Sequence, residues 1–161
     1  MLFAIYGLRR KEVAGLRIED LDWQHEIICI RRAKNLKTQI FPLSKTVGDS
    51  ILNYLRKVRI KKCSYREIFL RINAPYTPLT PTGLTAIAAR YFKPLNLPIQ
   101  HHGPHALRHA CASHLIQEEN VSLKQISEHL GHKDLESTSI YAKVNIKGLR
   151  KVADFNMGDV L

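Results

Sequence analysis

The chain has 161 residues, of which 45% are hydrophobic, so it can form one globular domain and is not an intrinsically disordered protein. Its formal net charge of +11 favours an anionic partner, with nucleic acid ahead of a membrane surface. No apolar run approaches the ~20 residues of a membrane span, and the apolar start is too short for a signal peptide. We therefore expect a cytoplasmic protein.

The first elements in chain order are two short helices and a β-hairpin. Residues 1–6 are typical of a helix end that Gly7 terminates, and a second helix is expected over roughly 10–16. A strand is predicted over 27–32 and a returning strand over 38–43, with a turn between them. This part of the chain therefore predicts a small antiparallel sheet flanked by helices.

The middle of the chain predicts two longer helices. Ser44 can cap a helix that runs to about residue 59. Its expected buried stripe is Val47, Ile51, Leu55 and Val58. Residues 73–81 contain three prolines and predict a loop, from which Thr80 and Pro81 open a helix to about residue 92.

Two further helices are predicted at about 105–118 and 122–130. Ser122 and Gln125 fit a capping box at the start of the second, and Gly131 ends it. A short helical stretch then leads to Tyr141, and an amphipathic helix is expected over about 146–155. The fold class predicted is mainly α with a small antiparallel β-sheet or hairpin, α+β overall.

Charge and cysteine content narrow the class of protein. Ten lysines and arginines but a single acid, Asp49, lie between Arg31 and Lys62. Such a run is either a solvated face or a nucleic-acid contact, and charge alone does not decide. The three cysteines (Cys29, Cys63 and Cys111) are an odd number without metal-like spacing, and they indicate reduced thiols in a reducing compartment.

The candidate chemistry is concentrated in residues 101–141, which contain seven of the eight histidines. On the helix that begins near His105, one face carries His105, Arg108, His109 and Ala112. The opposite face carries Leu107, Cys111 and His114, so we interpret His114 as a structural residue that packs inward. The first face can present an imidazole and a guanidinium together.

Further candidate residues follow this helix, at a spacing that the packing of apolar side chains does not require. His132 follows Gly131, and Tyr141 lies nine residues later. Taken singly, Arg9 could be a surface arginine, Tyr141 a core tyrosine and His129 a solvent-facing helix residue. A zinc site is disfavoured although His105 and His109 have i,i+4 spacing, since no carboxylate or thiol completes a ligand set.

These motifs resemble those of the tyrosine recombinase (phage integrase) family. The sequence H-A-L-R-H from His105, L-G-H ending at His132, and Tyr141 match the family's C-terminal signature. Its upstream G-L-R-x-x-E box matches Gly7 to Glu12, and its hairpin lysine falls on Lys34, eight residues before Pro42. The similarity covers nearly the whole chain.

The resemblance implies a role for each motif residue. Arg9 and Arg108 would bind the scissile phosphate, with His132 as a third donor. Tyr141 would be the nucleophile, His105 its base, and Lys34 the acid that protonates the leaving oxygen. Glu12 would orient Arg9. The reaction would need neither a cofactor nor a metal.

The partner implied is double-stranded DNA, bound by a homo-oligomer that would form a tetrameric synapse as the full-length protein. The residues expected to contact DNA phosphates, chosen for their proximity to the motifs, are Arg31, Arg32, Lys37 and Lys133. The expected function is site-specific recombination through a 3′-phosphotyrosyl intermediate.

Residues 1–161 are expected to form a single catalytic domain that lacks the family's N-terminal core-binding domain and the start of the catalytic domain. Residues 145–161 would form a tail helix that either is exchanged between protomers or folds back onto its own chain. Lys11 stands where the family often has a helix-capping serine. Two alternatives stay open: a type IB topoisomerase-like strand transferase, and a non-catalytic DNA-binding remnant.

Overall fold

A computed structural model describes residues 1–32, 38–95, 103–117 and 122–131. The predicted turn at 33–37, Lys34 and Lys37 within it, and every predicted feature after Gly131 lie outside the described residues. Among the helices that are described, none is long and apolar enough to cross a membrane.

Two short helices form the N-terminal part of the fold, as the sequence predicted. Helix α1 is Leu2–Ile5 and helix α2 is Arg10–Ala14. Gly7 lies between them with φ +58°, a left-handed conformation that glycine adopts without the steric cost of a side chain. A Cβ atom at Gly7 would lie 2.6 Å from Leu130 Cδ2, so this turn packs directly against the end of a distant helix.

The predicted hairpin is confirmed and belongs to a three-stranded antiparallel sheet. Strands β1 (Leu21–Asp22), β2 (Ile27–Arg31) and β3 (Thr38–Pro42) lie in the order β1-β2-β3. The sequence did not predict β1, because a strand of two residues has no alternation to detect. Ile28 pairs with Leu21 on one side and Phe41 on the other, and all three side chains enter the core.

The two middle helices follow their predicted caps. Helix α3 is Lys45–Lys57, and Ser44 Oγ accepts a hydrogen bond from the Val47 backbone N–H. Helix α4 is Pro81–Phe92, capped in the same way by Thr80 on Gly83. The prediction that Val58 is buried was wrong: α3 ends before it, and the residue is 51% exposed.

The last two described helices are α5 (Pro104–Gln117) and α6 (Leu123–Leu130). The capping box of α6 is confirmed: Gln125 N–H donates to Ser122 Oγ, and Ser122 N–H donates to Gln125 Oε1. Gly131 ends α6 with φ +64°, as predicted for a left-handed C-cap.

The core has two parts. The larger lies under α1, α2, the sheet, α3 and α4, and the smaller is formed by Ala112, Ile126 and Leu130 between α5 and α6. Helix α1 packs on α5, and α2 packs on α4. The turn at Gly7 lies against the C-terminal end of α6. The G-L-R-x-x-E motif and the start of the L-G-H motif are therefore close together in the fold.

Candidate active site

Arg9 is held at the start of α2 by an acidic partner three residues later. Glu12 Oε2 accepts the Arg9 backbone N–H at 2.6 Å, and Glu12 Oε1 accepts Arg9 Nη1 at 3.1 Å. The Glu12 side chain is 0% exposed, whereas that of Arg9 is 21% exposed. Glu12 thus orients Arg9, the role the sequence suggested, and it caps α2 without a serine at position 11.

Arg108 extends from α5 into the interior and joins two distant parts of the chain. Its Nη1 donates to the carbonyl oxygen of Gly7, and its Nη2 donates to that of Leu130 at 2.7 Å. The residue is 7% exposed. A guanidinium has five N–H groups arranged as a fork, so one arginine side chain can hold two separate carbonyl groups at once.

Arg32 occupies an interior position that corrects the prediction of a DNA-phosphate contact. It is 2% exposed, and its guanidinium donates to Glu12, Gln39 and the carbonyl oxygen of His129. Burial, offset in part by Glu12, lowers its pKa. A side chain that is enclosed in this way has almost no surface to offer a DNA backbone.

Three arginines from separate elements converge on three consecutive carbonyl groups at the end of α6. Arg32 binds the carbonyl of His129, Arg108 that of Leu130, and Arg9 that of Gly131 at 2.6 Å. The last carbonyls of a helix have no partner within it and carry partial negative charge. Among the described residues, the charged groups of this cluster are the guanidiniums of Arg9, Arg32 and Arg108 and the carboxylate of Glu12. Their positive charges outnumber the negative one, which favours the binding of an anion beside them.

His129 packs beneath this cluster, so the interpretation of it as a solvent-facing residue was wrong. Its ring lies edge-on to Phe41 at 5.1 Å between centroids. Burial, with Arg32 and Arg108 nearby, lowers its pKa, which favours the uncharged ring. A charged imidazole would add a further positive charge to the arginine cluster.

His105 and His109 meet on the outer side of α5. Their Nε2 atoms lie 2.6 Å apart and the ring planes are nearly perpendicular. His105 is exposed, whereas Arg108, on the same face of the helix one turn later, is buried. The prediction that His114 packs inward was wrong, because it is exposed; the buried side of α5 is formed by Arg108, Cys111 and Ala112.

The remaining predicted residues divide between the surface and undescribed segments. The Arg31 side chain is 53% exposed and paired with Asp20 at 2.5 Å. His132, Lys133 and Tyr141 lie outside the described residues, as do Lys34 and Lys37. The three cysteines are free, as predicted. Within the described ranges, no group of three His, Cys, Asp or Glu side chains could hold a metal ion.

Replacing Gly131 with Ala should destabilise the protein by about 2–4 kcal/mol, since the αL region costs an L-residue ~1–2 kcal/mol and charged hydrogen bonds are worth ~1.5–3 kcal/mol. The new Cβ would lie 2.8 Å from Arg32 Nε and 3.0 Å from Arg32 Cδ, so it must displace a fully engaged guanidinium. Urea unfolding followed by circular dichroism measures the change.

The matched control is Gly48→Ala near the start of α3, where a Cβ makes only ordinary contacts at 3.5 Å or more. There the substitution should be neutral or stabilise the protein by up to about 1 kcal/mol, the helix-propensity difference between the two residues. Equal unfolding free energies for the two variants would contradict the close packing at Gly131.

The sequence model of the Phage integrase family matches residues 1–147. The chain is 39% identical over 153 residues to y4gC of Sinorhizobium fredii, provisionally named an integrase/recombinase, covering 94% of this chain and 78% of the relative. It is 34% identical to tyrosine recombinase XerA of Pyrococcus horikoshii and 36% identical to XerC of Thermodesulfovibrio yellowstonii. Those alignments cover 96% and 95% of this chain but 53% and 51% of the relatives, so the chain spans about half their length.

Solved structures share the fold. The crystal structure of XerA recombinase superposes with a TM-score of 0.76 at 23% identity, covering 94% of this chain and 54% of that one. XerH site-specific recombinase, in a post-cleavage complex with a palindromic difH substrate, gives a TM-score of 0.79 at 24% identity, covering 96% and 43%.

Proposed function

The chain belongs to the phage integrase family, and from that premise we propose that it is the catalytic domain of a site-specific DNA recombinase. It would cleave and rejoin DNA strands through a 3′-phosphotyrosyl intermediate at Tyr141. Its substrate would be double-stranded DNA, bound by several copies of the protein in the cytoplasm. The relatives' names and the net charge of +11 both support this proposal.

The observation that carries the proposal is the convergence at the end of α6. Arg9 binds the carbonyl of a residue 122 positions away, and Arg108 binds the neighbouring carbonyl. The next residue in the chain is His132. Three boxes that are far apart in sequence therefore meet at one point, which packing of apolar side chains does not by itself require.

Arg9 and Arg108 would bind the non-bridging oxygens of the scissile phosphate. Negative charge grows on these oxygens in the transition state, and guanidiniums held in place beforehand stabilise it without reorganisation. Arg9 is the more exposed of the two, so it would meet the phosphate first. His132 would supply a third donor.

Tyr141 would attack phosphorus and give its phenolic proton to His105. The bond from phosphorus to the 5′ oxygen breaks as the bond to the tyrosine oxygen forms. Lys34 would give a proton to the departing 5′ oxygen, which is otherwise a poor leaving group. The products are a 3′-phosphotyrosyl bond and a free 5′ hydroxyl, and attack by a 5′ hydroxyl from a partner duplex reverses the step.

A nicked suicide duplex that carries the recombination site of this protein tests the proposal. After cleavage, the short fragment that carries the free 5′ hydroxyl dissociates, so the strand cannot be rejoined. The protein should therefore accumulate as a covalent adduct with DNA, which a denaturing gel detects. Nuclease and trypsin digestion should then place the nucleotide on the peptide of residues 134–143, whose single tyrosine is Tyr141. DNA binding without an adduct would instead identify a non-catalytic DNA-binding protein.

A further inference from the structure

His105 and His109 form a pair on α5 in which one nitrogen of each ring points at the other. They are four residues apart, so one helical turn brings their side chains onto the same face. The two Nε2 atoms lie 2.6 Å apart, the ring centroids lie 4.0 Å apart, and the ring planes are nearly perpendicular. His105 is exposed and His109 is half-buried, so solvent reaches the pair.

The short distance limits where the hydrogens of this pair can be. Two N–H groups cannot point at each other across 2.6 Å, so at least one Nε2 presents a lone pair to its neighbour. The other ring can carry its hydrogen on Nδ1 instead, because a neutral imidazole has one hydrogen on either nitrogen. Both Nε2 atoms then present lone pairs to one point, with no net loss of protons.

This arrangement fits the geometry of a metal ion that binds two imidazoles. Two metal–nitrogen bonds of about 2.0–2.1 Å at a right angle place the nitrogens about 3 Å apart. The pair must therefore open from 2.6 Å by about 0.4 Å, which small side-chain rotations supply. Among the described residues no third His, Cys, Asp or Glu side chain joins the pair. Water would fill the other positions, which makes the site an exchangeable one and not a closed structural one.

We propose that His105 and His109 are a chelating site for a divalent transition-metal ion of the class of Ni²⁺, Cu²⁺ and Zn²⁺. The inference goes beyond the proposed function and does not depend on it. Imidazole suits these ions, whereas Mg²⁺ and Ca²⁺ prefer oxygen ligands. The bound ion connects the first turn of α5 to the second. It therefore binds the folded protein better than the unfolded chain, and it should stabilise the fold.

Calorimetric titration of the full chain with NiCl₂ tests the site. Ni²⁺ is the probe because Zn²⁺ also binds thiolates, and this protein has three free cysteines. His105→Ala and His109→Ala should each raise the Kd for Ni²⁺ by about 100-fold, since a second ligand on the same helix acts at a high effective concentration. His109→Gln should do the same, and it keeps a side chain that can hydrogen-bond to His105 if the alanine variants fold poorly.

The matched control is His114→Ala, which removes another exposed histidine of α5 and should leave the Kd unchanged. Urea unfolding gives a second measurement. Ni²⁺ at about 100 times the Kd of the wild type should raise the urea midpoint of the wild type and of His114→Ala. The midpoint of His109→Gln should not move, and Mg²⁺ at the same concentration should move none of them.

An unchanged Kd in the His105 and His109 variants would assign the metal to other histidines and overturn the inference. So would an equal loss of affinity in His114→Ala, because binding would then be spread over the exposed histidines of the helix. A midpoint that rises as much in His109→Gln as in the wild type would also contradict the site. Failure of the wild type to form a covalent adduct with DNA bears only on the proposed function.

Discussion

Replacing Tyr141 with Phe should abolish the covalent adduct completely while leaving DNA binding unchanged. The substitution removes one hydroxyl oxygen, which is the atom proposed to form the bond to phosphorus. Phenylalanine has no nucleophilic atom to put in its place. Adduct yield on the suicide duplex after a long incubation, with a parallel gel-shift titration, measures both properties.

The control for this variant is Tyr91→Phe, at a tyrosine of α4 that is 76% exposed. It loses the same hydroxyl and should form adduct at the wild-type rate. An adduct that persists in Tyr141→Phe would assign the nucleophile to another residue and would contradict the match of Tyr141 to the family signature.

Replacing Arg108 with Lys should lower the cleavage rate by at least about 100-fold, because removal of one preorganised donor to a developing oxyanion costs roughly 10²–10³. Lysine keeps the positive charge but not the fork that holds the carbonyls of Gly7 and Leu130 together. Each buried carbonyl that loses its donor costs about 1–3 kcal/mol, so the unfolding free energy should also fall. Single-turnover cleavage and urea unfolding measure the two effects.

Arg90→Lys is the matched control, since Arg90 is an exposed arginine of α4 and should tolerate the change in both assays. Cleavage by Arg108→Lys at a rate close to wild type would contradict the proposed role of Arg108 in phosphate binding. A lower stability with a normal rate would assign it a structural role only.

Local sequence signals predicted most of the helices and strands. The caps at Ser44, Thr80 and Ser122 and the left-handed glycines at 7 and 131 all depend on residues within four positions of each other. Such signals can be recognised from neighbouring residues alone, without knowledge of the tertiary structure. They fail where an element is too short to show a period, as for β1, or where a helix ends early, as at Val58.

The sequence by itself determined which motifs resemble those of the family: the boxes that contain Arg9, Arg108 and Tyr141, from which the resemblance implies the proposed strand-transfer chemistry. The tertiary structure alone decided which arginines face solvent. Arg31 and Arg32 are adjacent in the chain, yet one side chain is 53% exposed and the other 2%. The difference arises because Arg32, directly after β2, packs against α2 and α6, which supply its guanidinium with acceptors up to 97 residues away.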